Sequence, residues 1–121
     1  MANDVLRQRT KEFALRVIRM VEKLPNTKSS YVIGQQVLRS ATSVGANYRA
    51  VCVAKSDRDF INKLKIVEEE ADETVFWLEL IEESGIVSKE RLIALRKEAN
   101  EILAMVVASI KTARKNQSIK V

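Results

Sequence analysis

Apolar residues recur along this chain at steps of three and four, in four stretches separated by short breaks. In the first stretch Leu6, Thr10, Phe13, Val17, Met20/Val21 and Leu24 make one mostly apolar stripe, the mark of a helix with one face toward a core. The pattern predicts a helix over about 3–24, with Asn3 as N-cap and Pro25, Asn26 and Thr27 as its stop. A second stripe, Ile33, Val37, Ala41, Val44, Tyr48 and Val51, predicts a helix over about 30–54, with Gly45 inside it as a place of close packing or a slight bend. The third is Phe60, Leu64, Val67, Ala71, Thr74/Val75, Leu78 and Ile81, over about 57–84. Ser56 stands where an N-cap belongs, Asp57 and Asp59 favour the positive end of the helix dipole, and Gly85 is placed as the C′ residue. The fourth, Leu92, Leu95, Ala99, Ile102, Val106, Ile110 and Ala113, predicts a helix over about 89–115 after a Ser88 cap, with a short frayed tail.

Four helices with short connections pack as antiparallel neighbours. The expected fold is therefore all-α, an antiparallel up-down-up-down four-helix bundle forming a single domain over 1–121. The composition agrees. The chain has 121 residues, 46% hydrophobic and 31% charged, with only three Gly and one Pro, far too few turn residues for an all-β chain. A lone cysteine, Cys52, has no intramolecular disulfide partner, so a reducing, cytoplasmic setting is expected. Residues 1–24 are too rich in charge to read as a signal peptide or a membrane span, and no membrane partner is expected.

Two helices carry a second face. Beside the core stripe of the second helix run Gln36, Ser40, Ser43, Asn47, Ala50 and Ala54, small or polar but uncharged, where a solvated face would carry Lys and Glu. The third helix matches it with Ile66, Glu70, Glu73, Trp77 and Leu80. Carboxylates beside a tryptophan on a half-apolar face call for partners. Arg39, Ser40, Ser43 and Asn47 are the candidates. Together with Glu70, Glu73 and Trp77 they read as a polar network that sets helix register or an interface. Two such faces exceed what one bundle can cover, which predicts self-association.

The chemistry expected of these residues is not catalytic. Histidine is absent, which removes most dyads and triads, the Glu-x-x-His motif of di-iron bundles and the Arg/His pair of four-helix RNases. The three glycines stand singly at 34, 45 and 85 and form no phosphate-cradling loop. No enzyme activity, metal site or cofactor is expected.

The net charge is +5, and its distribution matters more than its size. By segment it runs +3 for 1–24, +4 for 25–55, −7 for 56–87 and +5 for 88–121. Antiparallel topology gathers 1–12, 43–65 and 104–121 at one end. That end holds Arg7, Arg9, Lys11, Arg49, Lys55, Arg58, Lys63, Lys65, Lys111, Arg114, Lys115 and Lys120 against only Asp4, Glu12, Asp57 and Asp59, for a net of +8. The opposite end nets −3. The expected polarity is end to end, and in a ring of subunits the basic ends would add into one belt that binds phosphate backbones without reading sequence. Few aromatics are available for base stacking, so shape and backbone contacts are expected to dominate.

The run R-S-x-x-S-x-x-A-N from Arg39 to Asn47, continuing through Tyr48, Arg49 and Ala50, is followed by the stretch from Lys55 to Leu64. Then comes E-A-x-E-T-x-x-W-L from Glu70 to Leu78. Together these resemble the four-helix bundle proteins encoded in intervening sequences of bacterial 23S ribosomal RNA genes. The first and last helices match that family in character only. The resemblance implies an antiparallel bundle and a homopentameric ring, with Arg39, Ser40, Ser43, Asn47, Glu70, Glu73 and Trp77 as the family's recurrent positions. The chain is also similar to the accessory variability determinants of diversity-generating retroelements. That likeness implies basic pentamers that bind nucleic acid, RNA or DNA, and partner a reverse transcriptase. A protein-interaction scaffold is the alternative function it leaves open.

Overall fold

The computed structural model describes residues 4–120, with side chains described for 4–118. Four helices follow one another: α1 (Asp4–Glu22), α2 (Lys28–Val51), α3 (Asp57–Glu83) and α4 (Lys89–Lys120). Each packs on its neighbours in the chain, α4 closes back onto α1, and among the described residues the backbones of the diagonal pairs stay apart. This is the up-down-up-down bundle that the short connections require.

The local signals explain most boundaries. Ser56 caps α3 by accepting from Asp59 N at 3.0 Å, and the Asp59 carboxylate accepts from Lys55 N at 3.0 Å in return. Gly85 ends α3 in the left-handed region, φ 78°, where an L side chain is strained. Two boundaries differ from expectation. The second helix begins earlier than Ser30, because Thr27, read as part of the stop, is its N-cap and accepts from Ser30 N at 3.2 Å. It ends at Val51, and Cys52, Val53 and Ala54 leave it in a tightened turn with i→i+3 bonds. The last helix runs on to Lys120 instead of fraying near 115. Its extra turns lie beside the α2–α3 corner, where Ala113, Asn116 and Gln117 flank a cleft shared with Cys52 and Phe60, and Lys111, Arg114 and Lys115 suit the negative end of the dipole. The proposed Asn3 cap and the Lys120 side chain lie outside the described residues.

The stripes meet in one core. Phe13, Val44, Ala71, Ala99 and Ile102 converge at mid-height, and Tyr48 is the largest fully buried side chain. A stripe position shifts near the start of both middle helices, and in α2 it is Gly34 rather than Ile33 that is buried. Ile61 rather than Phe60 is buried at the start of α3, while Phe60 packs half-exposed against α4. A helix drifts about 20° per seven residues against a strict heptad, so an apolar row chosen at mid-helix misses by one residue near the end. Gly45 sits where α2 crosses α1. A Cβ there would stand 3.4 Å from the Thr10 carbonyl oxygen, so its role is close packing.

Candidate polar face and basic end

The α2/α3 face is built from three separate polar groupings. In the first, Arg39 reaches across from α2. Its Nη1 donates to Glu70 Oε1 at 3.2 Å, its Nη2 to Glu73 Oε2, and its Nε to Gln36 Oε1 at 3.4 Å. Trp77 Nε1 donates to the same Glu73 oxygen at 2.9 Å. A single arginine thus bridges two glutamates one helical turn apart, and the indole closes the second. In the next grouping, Thr74 donates to Ser40 Oγ at 2.8 Å, and Ser40 donates to the Val37 carbonyl at 3.3 Å. Both hydroxyl residues are fully buried, which makes this pair the register pin between α2 and α3. In the third, Asn47 Nδ2 donates to the Ser43 carbonyl and hydroxyl at 2.9 and 2.8 Å. Ser43 and Asn47 therefore serve each other on α2 and do not reach the carboxylates. Thr74, read as a core position, is the residue that engages Ser40 instead.

Around these groups the face stays half-apolar. Ile66 is 43% exposed and Phe76 49% exposed, with Trp77 and Leu80 half-buried beside them. The Phe76 and Trp77 rings meet edge to face, centroids 4.9 Å apart. The Arg39 side chain itself is 49% exposed. Ion pairs with that much water around them stabilise by only ~0.2–1 kcal/mol, so the network orients side chains more than it holds the fold.

The basic end gathers the start of α1, the end of α2, the start of α3 and the end of α4. Arg7, Lys11, Arg49, Lys55, Arg58, Lys65, Lys111, Arg114 and Lys115 are exposed there and enter no ion pair among the described residues. Two members of the predicted set are engaged elsewhere. Arg9 turns along the α1/α4 seam, where its Nε and Nη2 grip Glu98 at 2.9 and 2.6 Å and Nη2 also reaches Glu101 at 3.0 Å. Hydrogen bonding to Glu98 and then Glu101 raises the Arg9 pKa further, and the Arg9 hydrogen bond holds Glu98 below the usual glutamate range. Lys63 is tied to Asp59 at 2.6 Å, which with the Lys55 backbone bond lowers the Asp59 pKa. An unforeseen pair, Arg96 to Glu82 at 2.5 Å, clamps α4 to α3. The charge is also less purely end-to-end than expected. Because α1 and α4 are neighbours, the side formed by 1–24 and 88–121 carries +8 while 25–87 carries −3.

Among the described residues no group of three or more His, Cys, Asp or Glu side chains is placed to hold a metal ion, and no helix is long and apolar enough to cross a membrane.

The model of the 23S rRNA-intervening sequence proteins matches residues 3–108. The chain belongs to that family. The match takes in all of α1, α2 and α3 and most of α4, so the family's scaffold is this bundle and the polar face lies inside it. A solved structure of similar fold comes from Bacteroides thetaiotaomicron, a protein with unknown function from the S23 ribosomal protein family. It is 37% identical, covers 92% of this chain and 99% of its own, and superposes with a TM-score of 0.84. No curated protein matches the chain. For this member of the intervening sequence family the function must therefore be argued from its own surfaces.

Proposed function

We propose that this protein is a self-associating, nucleic-acid-associated bundle that grips phosphate backbones, RNA foremost, through its basic end and without reading base sequence. The observation that carries the reading is the crowding at one end of nine exposed cations that enter no ion pair among the described residues. Like charges held together by a fold repel one another, and a polyanion relieves that repulsion while releasing its own counterions. Self-association is supported by the half-apolar α2/α3 face, where Ile66 and Phe76 remain exposed beside the Arg39 network. A homopentameric ring is the assembly that the family resemblance implies, and it would merge the basic ends into one belt.

The test is a chain carrying Arg49→Glu, Arg58→Glu, Lys111→Glu and Arg114→Glu. All four side chains are exposed, so the fold should melt normally while affinity for a generic RNA duplex falls by at least 100-fold at low salt. Unchanged affinity would reject the reading. The acidic α3 supports a second reading, a scaffold that docks a basic enzyme such as a reverse transcriptase. Native co-purification separates the two. Nucleic acid lost on nuclease treatment favours the first, and a defined protein retained after nuclease favours the second.

A further inference from the structure

The α1/α4 seam is the loosest of the four helix contacts. Half of it is closed by Arg9 on Glu98 and Glu101. The other half opens into a cleft of about 260 Å³. Four cations, Arg16, Arg19, Lys23 and Arg91, surround an apolar floor that includes Met20 and Leu95, and no carboxylate lines it among the described residues. None of the four is in an ion pair among those residues, although Glu98 acts on Arg16 from along the seam. This cleft lies at the end of the molecule whose overall charge is negative, so whole-end bookkeeping hides it.

The chain also carries the complement. On the outer side of α3, Asp72, Phe76, Glu79 and Glu83 follow at steps of four, three and four and are all exposed. The three carboxylates enter no ion pair among the described residues. Phe76 stands in their midst, 49% exposed and steadied by its edge-to-face contact with Trp77. The first three members of this stripe match the spacing of Arg16, Met20 and Lys23 on α1, four steps and then three. Arg16 to Lys23 and Asp72 to Glu79 are each seven helical steps, about 10 Å of helix. Each stripe sets an apolar residue, Met20 or Phe76, between its charges.

We propose that the α1/α4 cleft of one copy receives the Asp72–Phe76–Glu79 stripe of α3 from a second copy. Phe76 would cover the apolar floor and the carboxylates would meet Arg16, Arg19, Lys23 and Arg91. A nucleic-acid backbone is the poorer fit, since phosphates and sugars would leave the apolar floor of Met20, Val87, Ala94 and Leu95 uncovered. The contact joins two different patches, so it is head-to-tail and repeats around a ring or along a filament. The inference rests on the self-association proposed above and names its two surfaces.

Light scattering at micromolar concentration reads the outcome. The unaltered chain should run as a multiple of 13.7 kDa. Arg19→Glu with Lys23→Glu should give the monomer, as should Asp72→Lys with Glu79→Lys. All four changes in one chain should restore assembly over that of either double variant, because two reversed cations then face two reversed carboxylates while Arg16 and Arg91 keep their sign. Phe76→Ala is an uncharged probe that should weaken the same contact, and thermal melting confirms that each chain is folded. If the unaltered chain is a monomer, self-association itself fails. If it assembles and the two charge variants assemble equally well, this contact is wrong while self-association stands. If the charge variants are monomeric but the fourfold chain stays monomeric, the pairing of these two stripes is overturned. Loss of RNA binding by Arg19→Glu with Lys23→Glu at unchanged mass would overturn it too, in favour of a nucleic-acid site.

Discussion

At the scale of single residues, the side chains with the most partners are not the ones with the most burial. Ser40 and Thr74 are fully buried, Ser40 donates to the Val37 carbonyl, and the Thr74 hydroxyl has the Glu70 carbonyl at 2.7 Å as an alternative acceptor to Ser40. Removing one hydroxyl therefore strands little. Ser40→Ala should cost about 1 kcal/mol in denaturant unfolding, the net worth of one hydrogen bond, with an unchanged m-value. Glu98 is the residue with a pH signature. Its pKa is depressed in the folded state by Arg9. That stabilisation is present above the unfolded glutamate pKa and is lost as pH falls through the lower folded value. Stability should fall below about pH 4.3, near the unfolded glutamate value. Glu98→Gln should start lower at neutral pH and show a flatter acid limb, measured by melting temperature between pH 3 and 7.

At the scale of the helices, what was legible in the sequence was what is local. The Ser56 cap and the Gly85 stop are each decided within a few residues, and the structure has both. α2 starts earlier than the sequence pattern places it because Pro25, Asn26 and Thr27 look alike as breakers, yet Thr27 also carries the capping oxygen. The length of α4 depends on its docking beside Phe60 and Cys52, a tertiary fact. The Arg39 network was readable because Arg39, Glu70, Glu73 and Trp77 all lie on faces too apolar or too uncharged to be solvated. Arg9 counts by sequence among the cations of the basic end, and its engagement along the seam is not legible there because its partners lie 89 and 92 residues away and no periodicity reports that two helices rotate these groups together. The α1/α4 cleft is invisible in the sequence for the same reason, since its lining comes from residues 16–23 and 87–95. The crossing of α1 and α2 makes its own prediction. Gly45→Leu would drive a side chain into the α1 backbone at Thr10 and should destabilise by about 1–3 kcal/mol, seen as a lower denaturant midpoint.

At the scale of the whole molecule, the bundle is a frame that sorts charge. One end pools exposed cations from four helix segments, α3 concentrates carboxylates, and the α1/α4 side carries a second cationic surface in its cleft. Internal ion pairs consume only part of this charge, so the rest is available to partners. The central claim is that the basic end neutralises phosphates. The most direct measurement is the salt dependence of RNA-duplex binding, followed by fluorescence anisotropy from about 50 to 200 mM salt, where phosphate contacts dominate the slope. The account predicts a steep linear fall of log affinity with log salt. The slope should become shallower by about 3 to 4 when Arg49, Arg58, Lys111 and Arg114 are reversed, roughly one unit per lost phosphate contact. A slope that is near zero, or unchanged in that variant, would contradict it.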